Sequence, residues 1–235
     1  VATFQATSQR IKYSMIPVVS AVDGMALGGG CEFQMHSDRV VATLESYIGL
    51  VEVGVGLLPA GGGLKEMALR AALAANGGDV FPAIQKSFKL AAMGEVSKSA
   101  LEAKEMGHLR WRDTIIFNRD ELLYVAIETA RAMANSSYRP PLPPTSFPVA
   151  GYTGIATLKM MLINMKEGGF ISDHDYDISS RIAACLCGGD VEPGSMVDEN
   201  WMLALERKHF CELAKTEKTQ ARIEFMLKTG KPLRN

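Results

Sequence analysis

Two glycine-rich turns, each lying between an apolar segment and a helical pattern, constrain the fold of this chain more than any other feature. The first turn, Gly28-Gly29-Gly30, follows the β-branched run Val18–Val22 and leads into a helical spacing. The second turn, Gly56–Gly63, follows an extended segment at 47–53 and leads into a helical pattern at 64–75. Short apolar runs bounded by turn residues are typical of buried strands. Strands combined with helices in this way predict an α/β core.

Helical patterns dominate the rest of the chain. One further strand is predicted at 39–42, and further helices are predicted at 2–14, 82–93, 97–106, 120–134, 153–167, 174–187, 197–213 and 217–228. The segment Arg139–Pro148 holds five of the ten prolines, which neither a helix nor a central strand tolerates. We therefore predict three regions: a core at 1–138, a proline-rich linker at 139–150 and an all-α region at 151–235.

Composition and charge exclude several classes of protein. The 235 residues are 47% hydrophobic, which is enough for a packed core and too apolar for intrinsic disorder. A net charge of −1 argues against a nucleic-acid-binding surface. The most apolar stretch, Ile16–Cys31, is interrupted by Asp23 and several glycines, so no membrane span is predicted. The four cysteines form no CxxC pair and the four histidines have no metal-binding spacing. We therefore predict no disulfide framework, no metal site and a reducing, cytoplasmic compartment.

The glycine turns match no nucleotide-binding motif. A helix that starts directly after glycines presents free N–H groups and positive potential, which suits a phosphate or an oxyanion. A P-loop that begins at Gly56 would need lysine where the chain has Gly62. The dinucleotide pattern GxGxxG, started at Gly54, meets Pro59 in its last glycine position. Two interpretations remain open for each turn, namely stabilisation of an oxyanion and a purely structural role.

Two acidic residues near these turns are candidates for acid–base chemistry. Glu32 comes two residues after the first glycine run, and Glu52 is the only charged residue in Tyr47–Leu58. A carboxylate in apolar surroundings is costly unless it faces a cavity, a partner or water. Two carboxyl groups in different environments, beside N–H donors, could handle a water molecule and a carbon acid. The alternatives are that Glu32 only stabilises the helix dipole and that Glu52 lies on an edge strand facing solvent.

The order of these segments resembles the crotonase (enoyl-CoA hydratase/isomerase) superfamily. The resemblance covers about residues 1–134 and is carried by Ile16–Glu32, Ser37–Ala42, Gly49–Glu52, Gly56–Gly63 and Met93–Gly107. It implies a crotonase-like α/β core. In the family, further strands precede the helix that matches residues 2–14, so the resemblance also implies a core that lacks its N-terminal strands. Those strands supply a second oxyanion N–H group and much of the CoA-binding surface.

The resemblance implies roles for individual residues. By this resemblance, Glu32 acts as a base towards water and Glu52 exchanges a proton with the α-carbon. The N–H group of Gly29 belongs to the oxyanion hole, and the backbone at Ala60 and Gly61 positions the water or the substrate. Hydratases of the family use two glutamates, so the pair favours hydration of trans-2-enoyl-CoA in fatty-acid β-oxidation. The enzymatic alternative is a Δ3,Δ2-enoyl-CoA isomerase.

The C-terminal region resembles the end of bacterial bifunctional 3-hydroxyacyl-CoA dehydrogenases. This second resemblance is carried by Ser172–Asp190 and Lys218–Asn235. Such proteins have a crotonase region after their dehydrogenase domains, and nothing in this chain resembles a dinucleotide-binding domain. We therefore expect no cofactor within the chain: coenzyme A enters as part of the substrate, and NAD would bind only to a dehydrogenase part.

The first residue is Val1 rather than methionine, and the pattern there is already helical. We expect a fragment of a longer protein, with weak activity or none when isolated. The expected partners are an acyl-CoA thioester, further copies of the chain in a homo-oligomer and the dehydrogenase domains of the same full-length chain. The alternative from another class is a non-catalytic docking or oligomerisation module, in which the glycine turns are only scaffold.

Overall fold

A computed structural model describes the whole chain, Val1–Asn235. In chain order, its elements are α1 (Ala2–Lys12), β1 (Val19–Val22), β2 (Met25–Leu27), α2 (Gly29–His36), β3 (Arg39–Thr43), β4 (Tyr47–Gly49), a 3₁₀ helix (Glu52–Val55), α3 (Gly63–Ala75), α4 (Phe81–Met93), α5 (Ala100–Met106), β5 (Thr114–Ile116), a second 3₁₀ helix (Arg119–Glu121), α6 (Leu122–Asn135), β6 (Phe147–Pro148), α7 (Gly151–Glu167), α8 (Asp173–Leu186), β7 (Met196–Val197), α9 (Glu199–Ala214) and α10 (Glu217–Thr229).

The chain divides into two compact units, each made of two separate segments. The first unit comprises Val1–Leu50 and Val96–Pro143, and the second comprises Val51–Glu95 and Pro144–Asn235. This division differs from the predicted regions, because residues 51–95 group with the C-terminal helices rather than with the other core residues. The boundaries predicted at 138 and 151 follow changes in sequence character, and they remain a prediction.

Parallel sheets form the centre of the first unit. Strands β1, β3 and β5 pair in the order β1-β3-β5, and strands β2 and β4 form a separate two-stranded sheet. In the first sheet Val19 lies opposite Arg39, and Val41 lies opposite Thr114. Parallel neighbours require a crossover connection, and α2 supplies it between β1 and β3. Helix α6 packs on β1 and β3, and its Ala126 is buried in a cluster with Val41.

Tyr138 fixes the first unit at the point where the prolines begin. Its hydroxyl lies 2.9 and 3.0 Å from the two carboxylate oxygens of Asp38. Asp38 also accepts a hydrogen bond of 2.8 Å from the N–H group of Val18. Burial and the neighbouring Asp38 carboxylate raise the pKa of Tyr138 to about 12. The segment after α6 is therefore tied to the sheet rather than leaving it directly.

Helices make up most of the second unit. Helix α8 is central, because it packs against α3, α4, α7 and α9. Its Ile178 and Ile182 are almost fully buried, as is Leu158 of α7. Burial of these apolar faces is the main stabilising contribution that such helices can make.

The expectation of an all-α C-terminal region is wrong in one detail. Strands β6 and β7 form an antiparallel ladder in which Phe147 pairs with Val197 and Pro148 pairs with Met196. A two-residue strand is too short to show an alternating pattern, so the sequence contained no signal for it. Proline is tolerated here because a two-stranded ladder leaves one side of each strand unpaired.

The predicted helices match the observed ones to within about three residues at each end. The strands were harder to predict, because β2 and β5 are three residues long and were not recognised. The extended segment predicted at 47–53 is also too long: β4 ends at Gly49, and a 3₁₀ helix begins at Glu52. No helix combines the length with the apolar character that a membrane crossing requires.

Candidate active site

The first glycine turn joins β2 to α2 and is tied to the end of β4. Gly28 has φ 55° and ψ −124°, a conformation that side chains other than glycine rarely adopt. Its N–H group donates to the carbonyl oxygen of Gly49 at 2.9 Å. Its own carbonyl oxygen accepts from the N–H group of Glu32 at 3.0 Å, which is the first hydrogen bond of α2. The turn therefore has a fixed backbone rather than a flexible one.

Gly29 and Glu32 lie together at the N-terminal end of α2. Gly29 is the first helical residue, so its N–H group has no acceptor within the helix. Glu32 follows three residues later, which puts the two residues on one face, and helical side chains lean towards the N-terminus. Glu32 is buried, with only 3% of the residue exposed. The positive end of the helix dipole favours a carboxylate at this position.

Aromatic packing explains why position 29 is a glycine. A Cβ atom on Gly29 would lie 2.9 Å from the ring of Phe4 in α1. That ring stacks on Phe33 of α2, with centroids 4.3 Å apart and planes within 5° of parallel. The close approach of α1 therefore requires the smallest residue at the start of α2.

A shallow cleft lies beside the same turn. Its volume is about 260 Å³, and its walls come from β1, β2 and α2, including Asp23, Met25, Gly30 and Phe33. Gly30 is exposed to solvent there. Through Gly30, the cleft adjoins the first turn of α2.

Glu52 lies in the second unit and opens the 3₁₀ helix Glu52–Val55. Its carbonyl oxygen accepts from the N–H group of Leu57 at 3.0 Å, and Gly56 ends the turn with φ 80°. The residue is half-buried. The alternative that placed Glu52 on an edge strand is therefore wrong, because β4 ends three residues earlier.

The helix that follows the second glycine turn is capped at its N-terminus by a carboxylate of the same chain. Glu206 of α9 accepts hydrogen bonds from the N–H groups of Gly62 (3.0 Å) and Lys65 (2.7 Å). Its carboxylate occupies the N-terminus of α3, where a phosphate would otherwise be expected. Ala60 and Gly61, the residues predicted to position water or substrate, are buried immediately before this capped helix. Their role remains a prediction.

A buried ion cluster adjoins the same helix start. The Nζ atom of Lys65 lies 2.8 Å from Glu199 and 3.1 Å from Glu66, and all three residues are buried. Burial opposes the charge of Lys65, but the two carboxylates outweigh it and raise its pKa. Neither this cluster nor Glu206 was predicted. The sequence carries no signal for them, since charged residues on amphipathic helices usually face solvent.

The structure thus groups the predicted residues into two sets. Gly29 and Glu32 lie in the first unit, whereas Glu52, Ala60 and Gly61 lie in the second. The meeting of the two carboxyl groups around one water molecule remains a prediction. No group of three or more His, Cys, Asp or Glu side chains is arranged to hold a metal ion.

Comparison with known sequences decides the family. The sequence model of the enoyl-CoA hydratase/isomerase family matches residues 2–139. The chain belongs to this family. The match includes both glutamates and both glycine turns, while the C-terminal helices lie outside it.

Among curated relatives of this hydratase/isomerase family member, a probable 3-hydroxyacyl-CoA dehydrogenase of Bacillus subtilis is 44% identical over 232 residues. The alignment covers 99% of this chain and 29% of that relative, so the chain spans less than a third of the relative's length. A short-chain-enoyl-CoA hydratase of Clostridium acetobutylicum is 41% identical over 59 residues, which are 25% of this chain and 23% of that protein.

Solved structures support the fold. An enoyl-CoA hydratase from Mycobacterium avium subsp. paratuberculosis superposes with a TM-score of 0.55 at 18% identity, covering 100% of this chain and 72% of that one. A carnitinyl-CoA hydratase from Mycobacterium avium gives a TM-score of 0.52 at 20% identity, covering 92% and 62%. The chain therefore has a crotonase-like α/β fold, as predicted.

Proposed function

We propose that this chain is the enoyl-CoA hydratase part of a bifunctional hydratase/3-hydroxyacyl-CoA dehydrogenase in fatty-acid β-oxidation. The observation that carries the proposal is the grouping of Gly29 and Glu32 at the N-terminal end of α2. There, a buried carboxyl group and an N–H group without an intrahelical acceptor belong to the same helical turn. The Bacillus subtilis relative, which is named as a dehydrogenase, supports the bifunctional part of the proposal.

The proposed reaction adds water across the double bond of a trans-2-enoyl-CoA. Glu32 takes a proton from water, and the water oxygen forms a bond to C3. The electron pair of the double bond moves towards the thioester, whose oxygen gains negative charge and accepts a hydrogen bond from the N–H group of Gly29. Glu52, which begins the cycle protonated, then delivers its proton to C2 and completes the 3-hydroxyacyl-CoA. The proton taken up by Glu32 passes to solvent and Glu52 takes one up from solvent, which restores both groups. The reverse sequence dehydrates the product.

Glu52 lies close in sequence to a residue that is bonded to the first glycine turn. The N–H group of Gly28 is bound to the carbonyl oxygen of Gly49, and Glu52 follows Gly49 by three residues. Three residues span at most about 11 Å. The chain thus passes the start of α2 shortly before it reaches the second carboxyl group.

Charge-neutral substitution of each glutamate tests the proposal. In the complete protein, Glu32→Gln and Glu52→Gln should each lower kcat by about 10²–10⁴-fold, because each removes a proton-transfer group. The KM for a trans-2-enoyl-CoA should change little, since the amide keeps the shape of the side chain. Turnover is followed by loss of the conjugated enoyl-thioester absorbance. Near-normal turnover in both variants would refute the assignment.

The isomerase alternative predicts a different product. A Δ3,Δ2-enoyl-CoA isomerase moves a double bond with one acid–base residue and adds no water. A 3-enoyl-CoA substrate, analysed by mass for uptake of water, separates the two activities. The presence of two glutamates supports the hydratase.

The docking alternative predicts binding of protein without binding of substrate. Calorimetric titration with an acyl-CoA and sedimentation of the chain separate it from the enzymatic proposal. Tight self-association without any acyl-CoA binding would favour the docking module. We propose that a homo-oligomer and dehydrogenase domains of the same protein are partners in addition to the substrate.

We further propose that the chain binds no cofactor of its own, with coenzyme A entering as part of the substrate, and that it works in the cytoplasm. The four cysteines, which form no disulfide, support a reducing compartment.

A further inference from the structure

Helix α10 is bonded to the turn that carries Glu52. The Oγ1 atom of Thr219 donates to the carbonyl oxygen of Gly56 at 2.7 Å, and both residues are buried. Gly56 is the residue that ends the 3₁₀ helix Glu52–Val55. A Cβ atom at Gly56 would lie 2.9 Å from Thr219 Oγ1 and 3.1 Å from Arg222 Cδ. The helix and the turn are therefore in direct contact, with no room for a side chain between them.

The Thr219 hydroxyl is itself held by a histidine of α8. The Nε2 atom of His174 lies 2.9 Å from Thr219 Oγ1. Because the hydroxyl proton is used for the Gly56 carbonyl, the oxygen of Thr219 accepts, and His174 must donate from Nε2. The three groups form a chain of hydrogen bonds in which each bond polarises the next.

Arg222 of α10 contacts the same turn. Its guanidinium is fully buried and lies 3.5 Å from the carbonyl oxygen of Val53. Asp175 pairs with it at 2.7 Å, which supplies the countercharge that a buried guanidinium requires. The carbonyl groups of Val53 and Gly56, which follow Glu52, are thus both contacted by side chains of α10.

Such support matters because the turn is short. A single 3₁₀ turn has poor hydrogen-bond geometry and little stability of its own. At its ends, the N–H groups of Gly54, Gly56 and Leu57 donate to the carbonyl oxygens of Val51, Val53 and Glu52, at 2.9, 3.1 and 3.0 Å. The bonds from α10 end on the carbonyl groups of this turn, so they determine where its backbone lies.

We propose that Thr219, His174 and Arg222 are positioning residues for Glu52, so that the C-terminal helices are required for proton transfer as well as for folding. The inference rests on the proposed function, in which Glu52 exchanges a proton with the α-carbon. A shift of about 1 Å in a catalytic group can cost 10²-fold in rate. None of the three residues needs to touch the substrate.

The first test removes the Thr219 hydroxyl and keeps the shape of the side chain. In the complete protein, Thr219→Val should lower kcat by about 10- to 100-fold while KM for a trans-2-enoyl-CoA changes by less than about twofold. Thr219→Ser, which restores the hydroxyl, should recover most of the activity. Thr229→Val is the matched control, because Thr229 is an exposed residue of the same helix whose hydroxyl bonds only to nearby backbone groups, those of Phe225 and Lys231.

A double variant tests whether Thr219 acts through Glu52. In a Glu52→Gln background, adding Thr219→Val should leave the residual kcat unchanged, because the positioned group has already been removed. A further tenfold fall would overturn the inference. The inference would also be overturned if the kcat of Thr219→Val stayed within about twofold of the original protein while Glu52→Gln was inactive. Near-normal turnover of Glu52→Gln alone would instead overturn the proposed function.

His174 provides a second pair of variants if Thr219→Val does not fold. His174→Gln keeps an N–H donor near Thr219, whereas His174→Leu removes it and leaves the Gly56 contact in place. The expected order of kcat, from highest to lowest, is the original protein, His174→Gln and His174→Leu. Equal values for the two variants would contradict a role for the hydrogen bond from His174 to Thr219.

Discussion

At the scale of single residues, the three consecutive glycines are under different physical constraints. Gly28 has a positive φ, and Gly29 has the ring of Phe4 against the place where a Cβ atom would be. Gly30 has no atom within 4 Å of that place and has ordinary helical geometry. The sequence GGG is uniform, whereas the physical constraints on its members are not.

Alanine substitution distinguishes these constraints. Gly28→Ala should lower the free energy of unfolding by about 1–3 kcal/mol, because alanine is strained at this φ and ψ. Gly30→Ala, the matched control, should be neutral or should stabilise by up to about 1 kcal/mol, since alanine is the better helix former. Urea unfolding of both variants measures the difference. Equal losses in the two variants would contradict the assignment of strain to Gly28.

At the scale of elements, the two glycine turns differ in what meets the helix that follows. Helix α2 begins without a side-chain hydrogen bond from its N-cap residue, Gly28. The N-terminus of α3 is met by Glu206 of α9. Of the two interpretations left open by the sequence, a structural role therefore suits the second turn, while oxyanion stabilisation by the first turn remains a prediction.

The structural role of Glu206 can be measured. Glu206→Gln should lower the free energy of unfolding by about 1–3 kcal/mol, because it removes the charge and places an amide NH₂ against backbone donors. Glu224→Gln is the control: Glu224 is an exposed residue whose ion pair with Lys228 is screened by solvent and should contribute little to stability. The two urea midpoints are compared at neutral pH, and indistinguishable midpoints would rule out the cap.

At the scale of the whole molecule, the chain builds two units from interleaved segments. Residues 51–95 carry Glu52 and the second glycine turn, and they belong to the same unit as the C-terminal helices. A buried charge network lies within that unit. Asp175 pairs with Arg222 at 2.7 Å and with Arg234 at 3.1 Å, and it accepts from the backbone N–H group of Ser172.

This network predicts how stability depends on pH. Burial disfavours the charge on Asp175, but the bonds from Arg222 and Ser172 and the charges of Arg222 and Arg234 outweigh it and lower its pKa. Because the pKa of Asp175 is lower in the folded state, its stabilisation is fully present above the unfolded-state pKa of about 3.9. The stabilisation is lost as pH falls through the folded-state pKa. The original protein should therefore lose stability on acidification below about pH 4.

An asparagine variant tests this dependence. Asp175→Asn should be about 3–5 kcal/mol less stable at pH 7, because it leaves Arg222 without its buried partner. The difference from the original protein should shrink as pH is lowered, since the original protein then loses the same charge. Asp190→Asn, at an exposed position, is the control. A stability difference that stays constant from pH 7 down to pH 3 would contradict the role of Asp175.

The sequence by itself determined the helices, the two glycine turns, the candidate residues and the family resemblance. These follow from periodicity, turn chemistry and motif spacing, which act over a few residues. The start of α8, predicted at residue 174, lies within one residue of its observed start at Asp173, where Ser172 and Asp175 form a capping box. Strands of two or three residues were missed, because they are too short to show a period.

Only the tertiary structure decided which glycine is strained, which turn is capped and what supports Glu52. Glu206 reaches Gly62 across 144 residues, and Thr219 reaches Gly56 across 163 residues. Contacts at such separations depend on how helices pack, and a threonine or glutamate on an amphipathic helix has no local feature that distinguishes a buried contact from a solvated one. The candidate residues could thus be identified from local motifs. The side chains that contact their turns come from the far end of the chain and could not be identified in that way.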